Sequence, residues 1–224
     1  VRTDRLRLLC LLITNEGRMT MPKTIETTVY QFDELTDKAK QRAVNDHYDN
    51  VGYPWSAEAL KSLSALAEHF GGKMTDYSID WTGCCSHSWA KFDMPDAEDI
   101  GNNNLPDHIH RAIGTSDATE EDVKAAYDKW LSDKLAALGT YDPQTLKGHG
   151  DCKLTGFCMD ESAIDGFRAA FVAGETDLEK LMQAAFETWH SDGVDDFNGM
   201  QEFDEFSETA DANEYWFHSN GKLA

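Results

Sequence analysis

The chain has 224 residues, of which 41% are hydrophobic and 11% aromatic, values typical of a globular protein that buries a core. Its 20 Lys and Arg residues oppose 41 Asp and Glu residues, which gives a net charge of −21. Such a chain is repelled by nucleic-acid phosphates and by anionic membranes, so neither is predicted as a direct partner. The five cysteines form no disulfide-scaffold pattern, which favours a reducing cytoplasm.

The first 18 residues are predicted to be an untranslated leader or a disordered segment. The apolar run from Leu8 to Ile13 is shorter than the core of a secretory signal and far too short to span a membrane. Glu16 and Gly17 lie just upstream of Met19, where their codons resemble a bacterial ribosome-binding site. A start at Met19 removes four Arg and two acidic residues, so the net charge becomes −23 on a single predicted domain, residues 19–224.

The N-terminal half predicts strands and helices in alternation. Residues 24–32 alternate as a strand, and apolar residues at four-residue steps then predict a helix that ends near Val51. A second helix is predicted over 55–70, with Trp55 in its apolar face. Residues 73–82 and 86–94 are predicted to be two paired strands.

The C-terminal half is predicted to be mainly helical. Thr119 is the expected N-cap of a helix over 119–138, and Thr176 with Glu179 predicts a capping box. The predicted core face of the helix that follows comprises Leu178, Leu181, Met182, Ala185, Phe186 and Trp189. A further acidic helix over 196–209 and a tight turn at Asn220 and Gly221 follow it. The predicted fold class is α+β, a small antiparallel sheet with several packed helices.

No P-loop, dinucleotide-binding, zincin or nucleophile-elbow motif occurs in the sequence, and no catalytic residue or cofactor is predicted. Cysteine and histidine cluster in a strand-connecting turn around Cys84 and in a long loop that ends at Cys158. These residue types suit tetrahedral zinc, or a thiolate held near a histidine, but buried cysteines are also ordinary core residues. Metal binding is left open. The turn and the loop are predicted to lie close together as a candidate binding surface of Trp81, Cys85, Ser86, His87, Trp89, His149, Cys152 and Cys158.

Four stretches of the sequence carry a family resemblance: TTVYQFDELTDKAKQRA, YSIDWTGCCSHSWAKF, GDCKLTGFCMDE and ANEYWFHSNGKLA. In this order they resemble a family of small proteins of tailed bacteriophages and prophages, generally of unknown function and sometimes labelled antitoxin-like. The chain departs from that pattern at His87 and Ser88, where Gln and Gly are usual. The resemblance implies a phage gene product in the cytoplasm of a bacterial host, and it brings no established catalytic residues.

Charge and resemblance together predict an accessory protein that binds a basic host protein. An anti-defence or antitoxin-like inhibitor is one form of this function, and mimicry of DNA by carboxylates is a sharper one. Two alternatives stay open. The first is a metal-dependent or cysteine-based enzyme, which a concave pocket with converging His, Cys and carboxylate groups would favour. The second is a structural or virion-associated protein, which large apolar oligomer interfaces would favour.

Overall fold

The computed structural model describes residues 5–10, 23–83, 88–95, 119–139 and 153–224 of the chain. Its strands are β1 (Arg5–Cys10), β2 (Lys23–Thr28), β3 (Lys73–Ser78) and β4 (Trp89–Asp93). Its helices are α1 (Asp37–Val51), α2 (Ser56–His69), α3 (Glu120–Ala137), α4 (Met159–Val172), α5 (Leu178–Met200) and α6 (Phe203–Ala212), and a 3₁₀ turn covers Phe32–Glu34. Helices combine with two small antiparallel sheets, β1–β2 and β3–β4, so the predicted α+β class is confirmed.

The chain forms two compact units. Unit one comprises residues 1–52 and 198–224, and unit two comprises residues 53–197. The single domain that the sequence predicts over 19–224 stays a prediction. In unit one, β1 pairs with β2 in a register that runs from Arg5 opposite Thr28 to Cys10 opposite Lys23. That first strand falls within residues 1–18, and whether those residues belong to the native product also stays a prediction.

A cluster of phenylalanine rings forms the core of unit one. Phe32, Phe206 and Phe217 are all buried. The Phe32 ring meets the other two edge-on, at centroid distances of 4.9 Å to Phe206 and 6.0 Å to Phe217, which is a favourable aromatic geometry. The apolar stripe predicted on α1 is buried at Ala43, but Val51 at its end is 52% exposed. The helix stops there at Gly52, whose φ of +67° lies in the left-handed region.

The C-terminal tail folds back as a tight hairpin beside Tyr30. Tyr30 and Phe217 exchange two backbone hydrogen bonds of 2.9 Å, and the His218 N–H donates to the carbonyl of Lys222 at 2.8 Å. The predicted turn at Asn220 and Gly221 is thereby confirmed. Gly221 has a φ of +84°, and a Cβ there would collide with the carbonyl oxygen of Ala39 in α1. The tail therefore packs directly on the backbone of that helix.

Unit two has a core built from α2, α4 and α5. The rings of Phe70 and Phe167 stack at 4.3 Å, and a Cβ at Gly166 would lie only 2.6 Å from the carbonyl oxygen of Ala184. The backbones of α4 and α5 are therefore very close where they cross. The predicted core face of α5, from Leu178 to Trp189, is buried throughout, and that prediction is confirmed.

The hairpin of β3 and β4 has one covered face. In β4, Ala90 and Phe92 are buried while Trp89, Lys91 and Asp93 are exposed, which is the two-residue period expected of a strand with one face on a core. Strand β3 is exposed along most of its length. Both predicted strands are present, with β3 ending at Ser78 and β4 beginning at Trp89.

Two of the helix predictions were wrong in detail. The α5 helix continues through Gly193 to Met200, and the acidic helix begins at Phe203, not at 196. Gly193 lies inside α5, and the Trp81 ring packs on its backbone in the place that a Cβ would occupy. Trp55 was predicted to be core but is 47% exposed. It precedes the first residue of α2, so it is not aligned with that helix's apolar face.

Candidate functional site

Three of the eight predicted surface residues are described by the structure: Trp81, Trp89 and Cys158. The other five, Cys85, Ser86, His87, His149 and Cys152, lie outside the described residues. Within the described ranges, no group of three or more His, Cys, Asp or Glu side chains is placed to hold a metal ion. Since most of the predicted zinc ligands are not among those residues, the question of a metal stays open.

Trp81 anchors the beginning of the cysteine turn in unit two. It is only 8% exposed, and its indole N–H donates a hydrogen bond of 3.0 Å to the Ser56 hydroxyl. Its ring lies 4.7 Å from the Tyr53 ring and 5.1 Å from the Trp189 ring. An indole with its N–H satisfied and its faces covered is a packing residue. Trp81 therefore positions the turn and is not itself available to a ligand.

Asp80 and Ser88 close the two ends of the same turn. The Asp80 N–H donates to the Ser88 hydroxyl at 2.8 Å, and the Asp80 carbonyl lies 2.9 Å from Nε2 of His190 on α5. The Asp80 carboxylate accepts bonds from both the N–H and the hydroxyl of Thr82, at 2.9 and 2.7 Å. The backbone and side chain of Asp80 thus hold Thr82, Ser88 and His190 together.

Trp89 follows the turn and lies at the surface. It is 37% exposed, and the ammonium of Lys91 lies 5.0 Å from the centre of its ring. The attraction between a cation and an aromatic face at an exposed site is worth about 0.5–1 kcal/mol. Trp89 is therefore accessible at the start of β4, but part of its ring face is already occupied by a cation of the same strand.

The loop before Cys158 is held by a buried carboxylate. Asp160 is fully buried, and its Oδ2 accepts hydrogen bonds from the backbone N–H groups of Leu154, Thr155 and Gly156 at 3.0, 2.7 and 3.0 Å. Its Oδ1 accepts the Thr155 hydroxyl at 2.8 Å. A buried carboxylate is stable when such donors satisfy it. Asp160 is thus a structural residue that fixes the loop shape.

Cys158 lies at the surface beside two aromatic rings. Its side chain is exposed at the start of α4, and the neighbouring ring of Phe157 lies 6.3 Å from the ring of Trp55. We call Trp55, Phe157 and Cys158 the Trp55 patch. The flanks of both predicted site segments reach the same short stretch of chain, since Trp81 bonds Ser56 and Phe157 contacts Trp55. The predicted closeness of the turn at residues 84–87 to the loop at residues 149–158 itself stays a prediction.

Tyr53, two residues before Trp55, is a buried residue with a polar group. Its hydroxyl donates a 2.8 Å hydrogen bond to the carboxylate of Asp196 on α5. Burial, followed by the bond to Asp196, raises the pKa of the Tyr53 hydroxyl far above its usual range. The phenol therefore stays protonated at physiological pH and acts as a hydrogen-bond donor, not as a base.

Sequence reasoning missed a pair of grooves in unit one that share Tyr215. The larger, of about 540 Å³, lies among Ala43, His47, Phe206, Phe217 and Leu223, and we call it the apolar groove. The smaller, of about 330 Å³, lies among Gln31, Asp211, Glu214 and Trp216, and we call it the acidic groove. One signal was present in the sequence: His47 is the polar residue in the otherwise apolar stripe predicted on α1. Burial lowers the pKa of His47, which keeps its ring neutral at physiological pH.

Across the described residues, no helix combines the length and apolarity that crossing a membrane requires. No protein-family model matches the chain, and neither a curated protein nor a solved structure matches it significantly. The resemblance to a phage family therefore stays a prediction.

Proposed function

We propose that the protein acts by binding a basic surface on another protein. The observation that carries this proposal is the distribution of charge between the units. Unit two contains 27 Asp and Glu residues against 11 Lys and Arg, which gives it a net charge of −16 out of −21 for the whole chain. Charge of one sign and this size raises the rate at which an oppositely charged partner arrives.

Helix α5 presents part of this charge to solvent. Glu187, Asp192 and Asp195 are exposed along it. From residue 181 to residue 221 the chain contains ten Asp and Glu residues and neither Lys nor Arg. Carboxylates in this stretch have no basic neighbour in sequence to neutralise them, so they remain available to a basic partner.

The Trp55 patch supplies the apolar contact that charge alone does not. Tryptophan is enriched among the residues that dominate interface energies, and Trp55 is half-exposed beside Phe157. Glu58 follows Trp55 by three residues, on the first turn of α2. An aromatic anchor with a carboxylate one helical turn away is suited to a basic surface with an apolar centre.

In its finer form the proposal is that of a phage-encoded accessory protein. The partner would be a host protein in the bacterial cytoplasm, and the effect would be anti-defence or antitoxin-like inhibition. The four sequence stretches of the family resemblance support this form. DNA mimicry is its sharpest version, in which the carboxylates occupy a site that normally binds phosphates.

The test is capture of the partner from a bacterial lysate with the full chain, followed by its identification. The matched comparison is a variant with Glu187→Gln, Asp192→Asn and Asp195→Asn, with Ser191→Ala on the same helix as control. We expect the wild type and the control to retain a protein with a basic surface, and the triple variant to retain about fivefold less, because the attraction that speeds association is reduced. Equal capture by all three proteins contradicts the proposal.

Double-stranded DNA then separates mimicry from plain charge attraction. If the carboxylates imitate phosphates, a DNA fragment at modest excess displaces the captured partner, because both compete for one site. A partner that binds DNA and this protein at the same time excludes mimicry. Direct binding of bare DNA to the purified protein contradicts the proposal as a whole, since the two carry charge of the same sign.

A further inference from the structure

The two grooves of unit one differ in chemistry and adjoin at one residue. Tyr215 lines both of them. It lies three residues after the end of α6, where the chain turns from that helix into the tail hairpin. A ligand that fills one groove therefore extends past Tyr215 towards the other.

The apolar groove has the size and lining of a side-chain pocket. Its volume of about 540 Å³ is within the range of about 300–1,000 Å³ that is common for ligand sites. Phe206 and Phe217 are buried beneath it, while Leu223 at its edge is 61% exposed. Asp46, which lines it, is already paired with Arg42 on the same helix at 3.4 Å, and the aromatic and aliphatic side chains of the lining favour apolar groups.

The acidic groove has the opposite preference. Asp211 and Glu214 are exposed beside it, and the rings of Tyr215 and Trp216 complete its lining with Gln31. Carboxylates flanked by aromatic faces attract a Lys ammonium or an Arg guanidinium by ion pairing and by cation–π interaction. No residue of this groove carries a positive charge, so its charge complements a cation and repels an anion.

The backbone at Glu214 is held in an unusual conformation. Its φ is +54°, and it is the one non-glycine residue with positive φ in the described part of the chain. The preceding helix ends here, with the Tyr215 N–H bonded to the carbonyl of Ala210 at 2.8 Å, a position where glycine is usual. The Glu214 side chain therefore lies at the edge of the acidic groove, although its backbone conformation is one that favours glycine.

We propose that these grooves bind a short extended segment of a partner protein, with an apolar side chain in the apolar groove and a Lys or Arg in the acidic groove. The inference deepens the proposed function and rests on it in one respect, since both expect a basic partner. Beyond the proposed function, it states which part of the partner is recognised: a segment with one apolar and one cationic side chain. Charge complementarity selects this occupant over an acidic or a purely apolar segment.

The experiment uses the full chain and three sets of fluorescein-labelled hexapeptides, followed by fluorescence anisotropy. The first set carries Leu and Arg separated by one to four residues, the second replaces Arg with Glu, and the third replaces Leu with Ser. We expect at least one Leu and Arg spacing to bind about tenfold or more tightly than its two counterparts. Equal binding of the Arg and Glu peptides, or no binding by any set, overturns the inference.

The matched variants place the binding site. A double variant with Asp211→Asn and Glu214→Gln should bring the affinity for the Leu and Arg peptide to within about threefold of that for the Glu peptide. Glu208→Gln, an exposed residue of the same helix that lines neither groove, should leave the preference unchanged. Both variants replace exposed carboxylates by amides of the same shape, and thermal unfolding checks that they remain folded. If Glu208→Gln loses as much of the preference for the Leu and Arg peptide as the double variant does, the inference is overturned.

The two proposals fail in different ways. If the captured partner binds the Asp211→Asn, Glu214→Gln variant as tightly as the wild type but binds the α5 variant weakly, the grooves are not used and charge-driven binding stands. If the peptides bind at the grooves but the α5 substitutions leave partner capture unchanged, the grooves stand and the role of α5 is excluded.

Discussion

Units one and two differ in how they distribute charge and in what they bury. Unit one contains 14 Asp and Glu against nine Lys and Arg, a net charge of −5, whereas unit two has −16. Unit two also buries polar groups such as Asp160 and Arg168, while the side chains of unit one whose burial is described are aromatic and aliphatic where they are buried. The difference suggests a division of roles, in which unit two supplies long-range attraction and unit one supplies shaped grooves.

Trp189→Ala is expected to have the largest effect on stability. Trp189 is fully buried in unit two, and its indole N–H donates to the carbonyl of Ala59 at 3.1 Å. Removing a buried indole leaves a cavity that costs about 3–5 kcal/mol. Urea unfolding measures the loss. Trp55→Ala, at a half-exposed position of the same unit, is the control and should cost less than about 1 kcal/mol. A loss of unfolding free energy below about 1 kcal/mol for Trp189→Ala would contradict the burial of Trp189 in the core of unit two.

Asp160→Asn tests whether unit two depends on its buried polar groups. The amide keeps the shape of the carboxylate but loses its charge and one acceptor oxygen, so several of the bonds to residues 154–156 are weakened. We expect a loss of about 1.5–3 kcal/mol, the range for hydrogen bonds to charged groups. Glu161→Gln, the next residue along α4, should change the free energy of unfolding by less than about 0.5 kcal/mol. Equal effects at the two positions contradict a structural role for Asp160.

Gly221→Ala tests the packing of the tail in unit one. The new methyl group would collide with the carbonyl oxygen of Ala39, and the φ of +84° is unfavourable for alanine. We expect a loss of about 2 kcal/mol or more, from left-handed strain together with the collision. Gly174→Ala separates the two causes, because Gly174 has a φ of +97° in open space and should cost only about 1 kcal/mol. Equal losses would show that the tail does not pack on α1.

His47→Gln is expected to have the smallest effect, on the pH dependence of stability. Burial lowers the pKa of His47, so the unfolded chain binds a proton more readily than the folded chain. The stability that depends on neutral His47 is complete above its unfolded pKa of about 6.5 and is lost as the pH falls below it. The wild type should therefore lose more stability than His47→Gln between about pH 7.5 and pH 5.5. Identical pH profiles from chemical unfolding contradict this.

Local signals in the sequence predicted most helices and their starts. Thr119 caps α3 as predicted. Its hydroxyl oxygen accepts the backbone N–H of Asp122, and the Asp122 carboxylate accepts the backbone N–H of Thr119. The predicted cap at Thr176 was wrong, because the carboxylate of Asp177 accepts the N–H groups of Glu179 and Lys180 instead. When adjacent residues such as Thr176 and Asp177 have similar capping propensity, the sequence alone does not show which of them is the N-cap.

The grooves of unit one could not be predicted from local patterns. The apolar groove forms where the tail and α6 meet α1, and the acidic groove forms where the same segments meet Gln31. The residues of each groove therefore come from parts of the chain more than 150 positions apart. The same applies to Asp160, whose burial depends on how the preceding loop folds over it. Gly193 is a further example, since the Trp81 ring that packs on its backbone lies more than 100 positions earlier in the chain.

The measurement that tests the central claim most directly is the association rate of the protein with its captured partner at about 50 mM and about 300 mM salt, a range over which charge screening changes strongly. We predict fast association at low salt and a marked decrease at high salt, with a weaker salt dependence for the variant of Glu187, Asp192 and Asp195. The dissociation rate should change little, because apolar contacts such as those of Trp55 set the lifetime of the complex. Equal association rates at the two salt concentrations would contradict charge-driven binding.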